Sequence, residues 1–313
     1  MSTHLARGLG QLALPAQGCV ATIGTFDGVH VGHRAVIENV AAQGRRLGLP
    51  VVVVLFEPQP REYFAPANAP ARLTRFREKF AHLACLPVDE VLLLHFNRAL
   101  ADSPAEDFIR TVLVDGLRVK YLVVGDDFRF GKNRRGSFAL LRQAGAEHSF
   151  QVTDTNSVQI DGERVSSTLI RRALAAGAMA DAARLLGRPY SVIGRIGHGA
   201  RLGRQWGFPT ANMALLRKKT PLQGVFAVTM TGVSNRPLPG VANLGARPTV
   251  DGRPQMRLET HLFDFSADIY GRLVEVHFHA KLREEQRFAD VQALRRQIAA
   301  DAEQARAYFA DSD

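Results

Sequence analysis

The chain predicts two fold classes in series: a Rossmann-like α/β domain built on a parallel sheet, then an antiparallel β-barrel with a C-terminal helix. Three observations carry this. From Val20 to about Val152, near-continuous apolar runs alternate with helical patterns, as strands buried on both faces of a parallel sheet do. After Gly187-Arg188-Pro189 the pattern changes to short strands separated by Gly and Pro. Near the end, Phe288, Val291, Leu294, Ile298, Ala305 and Phe309 share one helical stripe, so an amphipathic helix closes on the barrel. The boundary falls at 186/187, giving domains 1–186 and 187–313.

A length of 313 residues suffices for two cores. With 46% hydrophobic and 22% charged residues the composition is that of an ordinary soluble protein. No apolar run reaches the length of a membrane span, and the start lacks the charged-then-apolar layout of a signal peptide, so a cytoplasmic protein with no membrane partner is expected. Cys19 and Cys85 lie in apolar surroundings and read as reduced core residues rather than a disulfide or metal pair. The net charge of +10 raises nucleic acid as a partner. Lys and Arg are dispersed, however, with no zinc-finger spacing, RNA-binding aromatic pattern or basic tail. A basic surface that attracts polyphosphate accounts for the sign equally well, and small-molecule substrates without nucleic acid are expected. Self-association stays open.

Taken in order, Cys19 to Ile23 is a buried strand and Val36, Ile37, Val40 and Ala41 mark a helix. Between them runs I-G-T-F-D-G-V-H-V-G-H-R, from Ile23 to Arg34. At a strand-to-helix turn, free N–H groups and the positive helix end face the space above the sheet, where phosphate binds. Glycines 24, 28 and 32 let a ligand approach the backbone. His30 and His33, three apart, project from one face, and the H-x-G-H they form resembles the signature of nucleotidyl transferases. In that reading both imidazoles stabilise charge developing on the α-phosphate and the leaving pyrophosphate. The plain alternative is two histidines capping a helix.

Val51 to Phe56 is the next strand, Thr74 to Leu83 a helix, and Val91 to Phe96 another strand. Ser103 to Leu113 opens with S-P-A-E, an N-cap followed by Pro at N1 and Glu at N3. Val119 to Val124 is a strand and Ser137 to Gln143 a helix. The loop G-D-D-F-R-F-G-K-N-R-R-G, Gly125 to Gly136, pairs Phe128 and Phe130 with glycines and basic residues. It suits a flat ring beside a phosphate, and equally a solvated surface loop. R-V-S-S-T-L-I-R-R, Arg164 to Arg172, sets hydroxyls at a helix start with Arg171 one turn in. That is an anion site or a well-capped helix.

Helical character runs from Leu169 to Leu186 with a break at Gly177. Strands follow at Ser191 to Ile196, Val225 to Thr231, Val241 to Leu244, Arg257 to Leu262 and Leu273 to Phe278. The informative string is G-R-Q-W-G-F-P-T-A-N, Gly203 to Asn212, preceded by G-R-I-G-H-G-A-R-L from Gly194. Its glycine-rich turn can wrap phosphates, while the Thr210 hydroxyl and Asn212 amide oxygen suit the oxygen shell of Mg²⁺. A barrel loop with Gly and Pro for turns is the alternative. Glu259, near the end of a strand, is the candidate to accept a hydroxyl proton in phosphoryl transfer to an alcohol. His261 shares its face and reads as structural.

Together G-T-F-D-G-V-H-x-G-H, G-D-D-F-R-F-G and S-S-T-x-I-R resemble the FMN adenylyltransferase module of the bacterial bifunctional riboflavin kinase/FAD synthetase family, over about 18 to 186. The P-T-A-N string resembles the ATP-Mg loop of riboflavin kinase, over about 188 to 290. The resemblance implies that His30 and His33 bind ATP phosphates, that Gly24, Thr25 and Phe26 line the adenosine side, and that Arg164, Ser167, Thr168 and Arg171 hold triphosphate. It places Asp127 by the flavin or metal, with Phe128 and, from F-E-P-Q-P, Phe56 and Pro58 on the flavin side. In the second module it assigns Gly199, Thr210 and Asn212 to ATP and Mg²⁺, Phe208 to flavin, and Glu259, in E-x-x-x-x-D-F-x-x-D-I-Y-G, to the base. Asn243 and Arg283 fall in recurring family segments with open roles. Trp206 stands where the family carries an aliphatic residue.

The activity so implied is a two-step one, with ATP and Mg²⁺ required in both. The barrel phosphorylates riboflavin to FMN, and the α/β domain adenylylates FMN to FAD with release of pyrophosphate. Two rivals stand beside it: a nucleotidyl transferase for another phosphorylated acceptor, and a basic nucleic-acid-binding or regulatory protein without activity.

Overall fold

Valine and leucine runs with no polar side must be covered on both faces, and in the computed structural model they form the middle of a six-stranded sheet. The structure describes residues 3–125, 128–154, 158–198, 207–215, 217, 219–248 and 254–311. By contacts the chain divides into two units: Met1–Pro70 with Arg75–Val165, and Ala71–Thr74 with Ser166–Asp313.

In the first unit β1 (His4–Arg7), β2 (Cys19–Ile23), β3 (Val51–Glu57), β4 (Glu90–His95), β5 (Val119–Val124) and β6 (Gln151–Asp154) lie in the order β1-β4-β3-β2-β5-β6. All neighbours are parallel. From β2 the chain builds outward through β3 and β4 on one side and continues with β5 and β6 on the other. The order therefore reverses beside β2, and beyond the carboxyl ends of strands at such a reversal a crevice opens.

The helices of this unit are α1 (Val31–Leu47), α2 (Pro60–Phe64), α3 (Phe76–Ala84), α4 (Arg98–Ala101), α5 (Ala105–Phe108) and α6 (Phe138–His148). They cover both faces, as the strand pattern predicts. Ala21, Val52 and Leu92 pack with Phe108, Leu113 and Leu141, whereas Val53, Leu55 and Val91 pack with Ile37 and Leu83. The helix expected from S-P-A-E starts one residue late. Pro104 is its N-cap, Ser103 Oγ donates to the Pro104 carbonyl (3.3 Å), and α5 widens into a π-helical stretch, Ile109–Gly116. A hairpin of β7 (Gln159–Ile160) and β8 (Glu163–Arg164) follows β6.

The second unit begins with α7 (Ser167–Ala175) and α8 (Met179–Leu186). Its strands β9 (Tyr190–Arg195), β10 (Ala211–Ala214), β11 (Gly224–Thr231), β12 (Leu238–Pro248), β13 (Pro254–Leu262) and β14 (Leu273–Arg283) lie in the order β10-β13-β12-β11-β14-β9, all antiparallel. A bridge from the Gly197 N–H to the Asn212 carbonyl (2.8 Å) nearly closes this order into a barrel. Since α8 packs on β9 and β14, the division by contacts precedes Ser166, whereas the sequence pattern changes at Gly187.

The C-terminal helix, Val291–Ala310, is capped by Asp290, whose carboxylate accepts from the Ala293 N–H. It seats Ala302, Ala305, Tyr308 and Phe309 against Val225, Ala227, Val241 and Phe263. Of the expected stripe, Ala305 and Phe309 make this contact, Val291 is exposed, and Phe288 precedes the helix. The helix is tied down by Asp301, which is 5% exposed and accepts from Arg283 Nε and Nη2 at 2.8 and 2.7 Å and from Gln297 at 2.9 Å.

Removing one partner of a poorly hydrated bidentate pair strands the other charge. Asp301→Ala is expected to destabilise the second unit by about 3 kcal/mol in urea-unfolding titrations, with the first unit's transition unmoved.

Candidate active sites

The turn between β2 and α1 stands at the reversal of strand order. Its backbone is fixed at both ends: the Gly24 N–H donates to the Val54 carbonyl (3.1 Å), and the Arg34 N–H to the His30 carbonyl (3.0 Å). Within it Phe26 and Val29 adopt left-handed backbone (φ 45° and 43°), each costing about 1–3 kcal/mol unless the surroundings over-determine it. Here they do. Both side chains are buried, and the ammonium of Lys79, a residue of α3 only 1% exposed, donates to the Thr25 carbonyl between them and the strand (2.5 Å). A side chain at Gly24 would crowd the Phe26 ring, since a Cβ there would lie 3.0 Å from it, and the ring would have to give by a few tenths of an ångström.

His30 caps α1, its Nδ1 accepting from the His33 N–H (3.3 Å), so the neutral ring carries its proton on Nε2. The two imidazoles stack with centroids 3.5 Å apart, and Phe26 leans on His33 at 5.0 Å. Among the described residues Nδ1 of His33 is buried with no hydrogen-bond partner. Burial above all, then repulsion from His30 and Lys79, holds the His33 pKa well below 6.5. At neutral pH the ring is therefore uncharged.

Thr25 is exposed at the lip of this turn, and Arg164 is exposed on β8. In the second unit, Ser166 rather than Ser167 caps α7, its Oγ accepting from the Leu169 N–H (3.2 Å). Ser167 and Thr168 occupy the first turn, and Arg171 Nε donates to the Ala71 carbonyl (2.6 Å). On the expected flavin side of the first unit, aromatic rings form a file. Phe128 stacks on Phe130, which meets Phe108, then Phe56, then Phe96, and Phe96 meets Tyr63 and Phe64. Phe56 is a core side chain within that file, while Phe128 and Pro58 are half-buried and Phe64 is exposed. Asp127, Gly199 and Trp206 lie outside the described residues.

The second site is laid across three adjacent strands of the barrel. Asn212 on β10 pairs in register with Glu259 on β13, and Glu259 pairs in register with Asn243 on β12. Residues directly opposite share a face, so the register sets three polar side chains in a row. Met256, Leu258, Thr260 and Leu262 alternate with this row and are buried. Asn212 Nδ2 donates to the Thr210 carbonyl (3.1 Å) and Oγ1 (3.4 Å), which leaves the amide oxygen for another partner. The donor set of Thr210 Oγ1 and Asn212 Oδ1 fits a hard cation that takes its other ligands from phosphate and water.

His261 Nδ1 donates to the Pro209 carbonyl (2.9 Å), and its ring meets Phe208 edge-on at 5.4 Å. It thus fixes the P-T-A-N segment, the structural role read from its position. A cavity of about 440 Å³ opens beside Thr210 and Asn212, walled by Thr260 and by Phe265 to Tyr270.

Lys79 was not singled out in the sequence, and Asn243 was singled out only with its role open. Lys79 lies between Phe76 and Leu83 on the apolar stripe of its helix, and a lysine at a core position is itself the signal. The alignment of Asn243 with Glu259 depends on strand register, which no local pattern displays.

A parallel-sheet site with paired imidazoles and a barrel site with an Asn–Glu–Asn row place the chain in the class of two-domain nucleotide-using transferases. The FAD synthetase family matches residues 13–169 and the riboflavin kinase family residues 186–309. The bifunctional riboflavin kinase/FMN adenylyltransferase of Escherichia coli is 52% identical over 306 residues, covering 97% of each chain. That of Pseudomonas fluorescens is 50% identical over 309 residues, 99% of each, and that of Haemophilus influenzae is 48% identical over 306 residues, 98% of this chain and 99% of the other. A crystal structure from Streptococcus pneumoniae, described as a macrolide-efflux protein, superposes with a TM-score of 0.80 at 29% identity over 98% of this chain and 99% of that one. Among the described residues no helix is long and apolar enough to cross a membrane. The chain belongs to the bifunctional riboflavin kinase/FMN adenylyltransferase family.

The depressed His33 pKa ties stability to pH. Unfolded, the imidazole takes a proton near 6.5; folded, only at lower pH. Stability from this source is full above 6.5 and is lost as pH falls below it. His33→Asn is expected to flatten the acid slope of the first unit's unfolding midpoint between roughly pH 7 and 5, measured by urea titration at each pH.

Proposed function

We propose that the chain makes FAD in two steps at two separate sites. In the barrel, Glu259 accepts the proton of the riboflavin 5′-hydroxyl as the γ-phosphoryl of ATP arrives, giving FMN. Thr210 and Asn212 hold the nucleotide's metal, with Gly199 contributing to the ATP loop and Phe208 to the flavin side. Mg²⁺, when bound, shields phosphate charge in both steps. In the α/β unit the FMN phosphate attacks the α-phosphorus of a second ATP. His30 and His33 donate hydrogen bonds to the oxygens that gain charge, and pyrophosphate leaves.

Gly24, Thr25 and Phe26 receive the adenosine. Arg164, Ser167, Thr168 and Arg171 hold the triphosphate, and Phe56, Pro58, Asp127 and Phe128 form the flavin side. The functional domains are 1–186 and 187–313, the first including α7 and α8.

The observation that carries this reading is the pairing, in one chain, of stacked imidazoles at the strand-order reversal with a carboxylate in register with Asn212. Two free thiols support a cytoplasmic setting. Contrary to the core position expected for both, Cys85 is exposed, whereas Cys19 is buried and its thiol is pushed up to about 12.

Incubation with riboflavin, ATP and Mg²⁺, followed by chromatography, is expected to yield FMN and FAD. His30→Ala with His33→Ala should stop at FMN, with adenylyl transfer down about hundredfold or more. Glu259→Gln should lose FMN formation by a similar factor yet convert supplied FMN to FAD. Loss of both steps from either change, in folded protein, refutes the division of labour. Lys79→Met is expected to slow FAD formation from FMN about tenfold or more while FMN formation is unchanged, because only the first site's turn loses its anchor.

A further inference from the structure

In the barrel's polar row, Glu259 and Asn212 have roles in the proposed kinase step, and Asn243 has none. Among the described residues its amide oxygen is buried and accepts no hydrogen bond. A buried acceptor left unpaired is a standing penalty that a ligand donor relieves, so such atoms are pointers to bound substrate. Position supplies the second observation. Asn243 is the direct cross-strand neighbour of Glu259, on the side away from Asn212.

Neighbouring strands lie about 4.8 Å apart, so a ligand hydroxyl held by Glu259 leaves Asn243 one strand further along the same face. That separation is within reach of the next hydroxyl of a polyol chain. Other groups on this row are committed elsewhere. Val225 is the next member and offers no polar group, and Arg283 beyond it is engaged with Asp301.

We infer that Asn243 is a substrate-binding residue of the kinase site: its amide oxygen accepts a hydrogen bond from the hydroxyl adjacent to the one phosphorylated, and so sets the register of the polyol against Glu259. The acceptor is an alcohol with vicinal hydroxyls at its end. A terminal alcohol with no neighbouring hydroxyl would leave the Asn243 oxygen unpaired and bind more weakly. The inference rests on the riboflavin kinase reading of the barrel.

The test is a cycle on the full-length chain. Initial rates of phosphorylation are measured for the wild type and Asn243→Ala, with riboflavin and with its analogue lacking the 4′-hydroxyl. For riboflavin the substitution is expected to raise KM about tenfold, with kcat changed less than about threefold and KM for ATP unchanged. Removing the 4′-hydroxyl should cost the wild type a similar factor and the variant almost nothing more, because both changes delete one hydrogen bond.

A KM for riboflavin within about twofold of wild type overturns the inference, as does a variant that loses as much as the wild type when the hydroxyl is removed. Should thermal unfolding show that Asn243→Ala fails to fold, Asn243→Leu, closer in volume, goes through the same cycle, and the same two results overturn the inference. A wild type that forms no FMN from riboflavin overturns the kinase reading and the inference with it. A wild type that forms FMN beside unaffected variants overturns the inference alone.

Discussion

The hydrogen bond from the buried Lys79 ammonium to the Thr25 carbonyl is the constraint on which the first site depends. The turn that carries the imidazoles contains two non-glycine residues in left-handed backbone, and a chain segment adopts such a shape only when its surroundings leave no alternative. Burial of Phe26 and Val29 fixes the side chains, and Lys79 fixes the peptide between them and β2. The same ammonium helps keep His33 uncharged. One side chain therefore shapes the turn and tunes the electrostatics around His33. Because the ammonium is buried, its charge is screened less by water and salt than a surface lysine's would be.

The barrel site depends on register. A slip of one residue between β10 and β13, or between β13 and β12, would turn Glu259 away from Asn212 or Asn243, since side chains alternate across a strand. The near-closing bridge at Gly197, the apolar interior around Phe226 and Phe278, and the helix held by Arg283 and Asp301 all oppose such a slip. His261 then ties the segment that presents Thr210 to the same strand as Glu259. The site is a property of the whole barrel, even though its residue types are readable one by one.

That contrast explains what was legible in the sequence. The strand-turn-helix around His30 and His33 was, because its glycines, imidazoles and flanking apolar runs are local. So was the change from a parallel sheet to a barrel, which rests on periodicity and punctuation. The short strands β1 and β10, H-L-A-R and A-N-M-A, were not, because four residues with little alternation gain their structure from the neighbours they pair with. The S-P-A-E cap moved by one residue because the Pro104 carbonyl, not the Ser103 side chain, starts the helix. Lys79 was missed and the role of Asn243 stayed open because each has its neighbour distant in sequence: Thr25 for one and Glu259 for the other.

The proposed chemistry is two distinct transfers by one chain, each drawing on its own ATP. Labelled ATP tests it most directly. FAD is made from riboflavin in parallel reactions with ATP labelled in the γ-phosphoryl or in the α-phosphoryl group, and its flavin and adenosine phosphates are separated by pyrophosphatase. Two such transfers put γ label in the flavin phosphate only and α label in the adenosine phosphate only. A flavin phosphate without γ label, or an adenosine phosphate without α label, would contradict it.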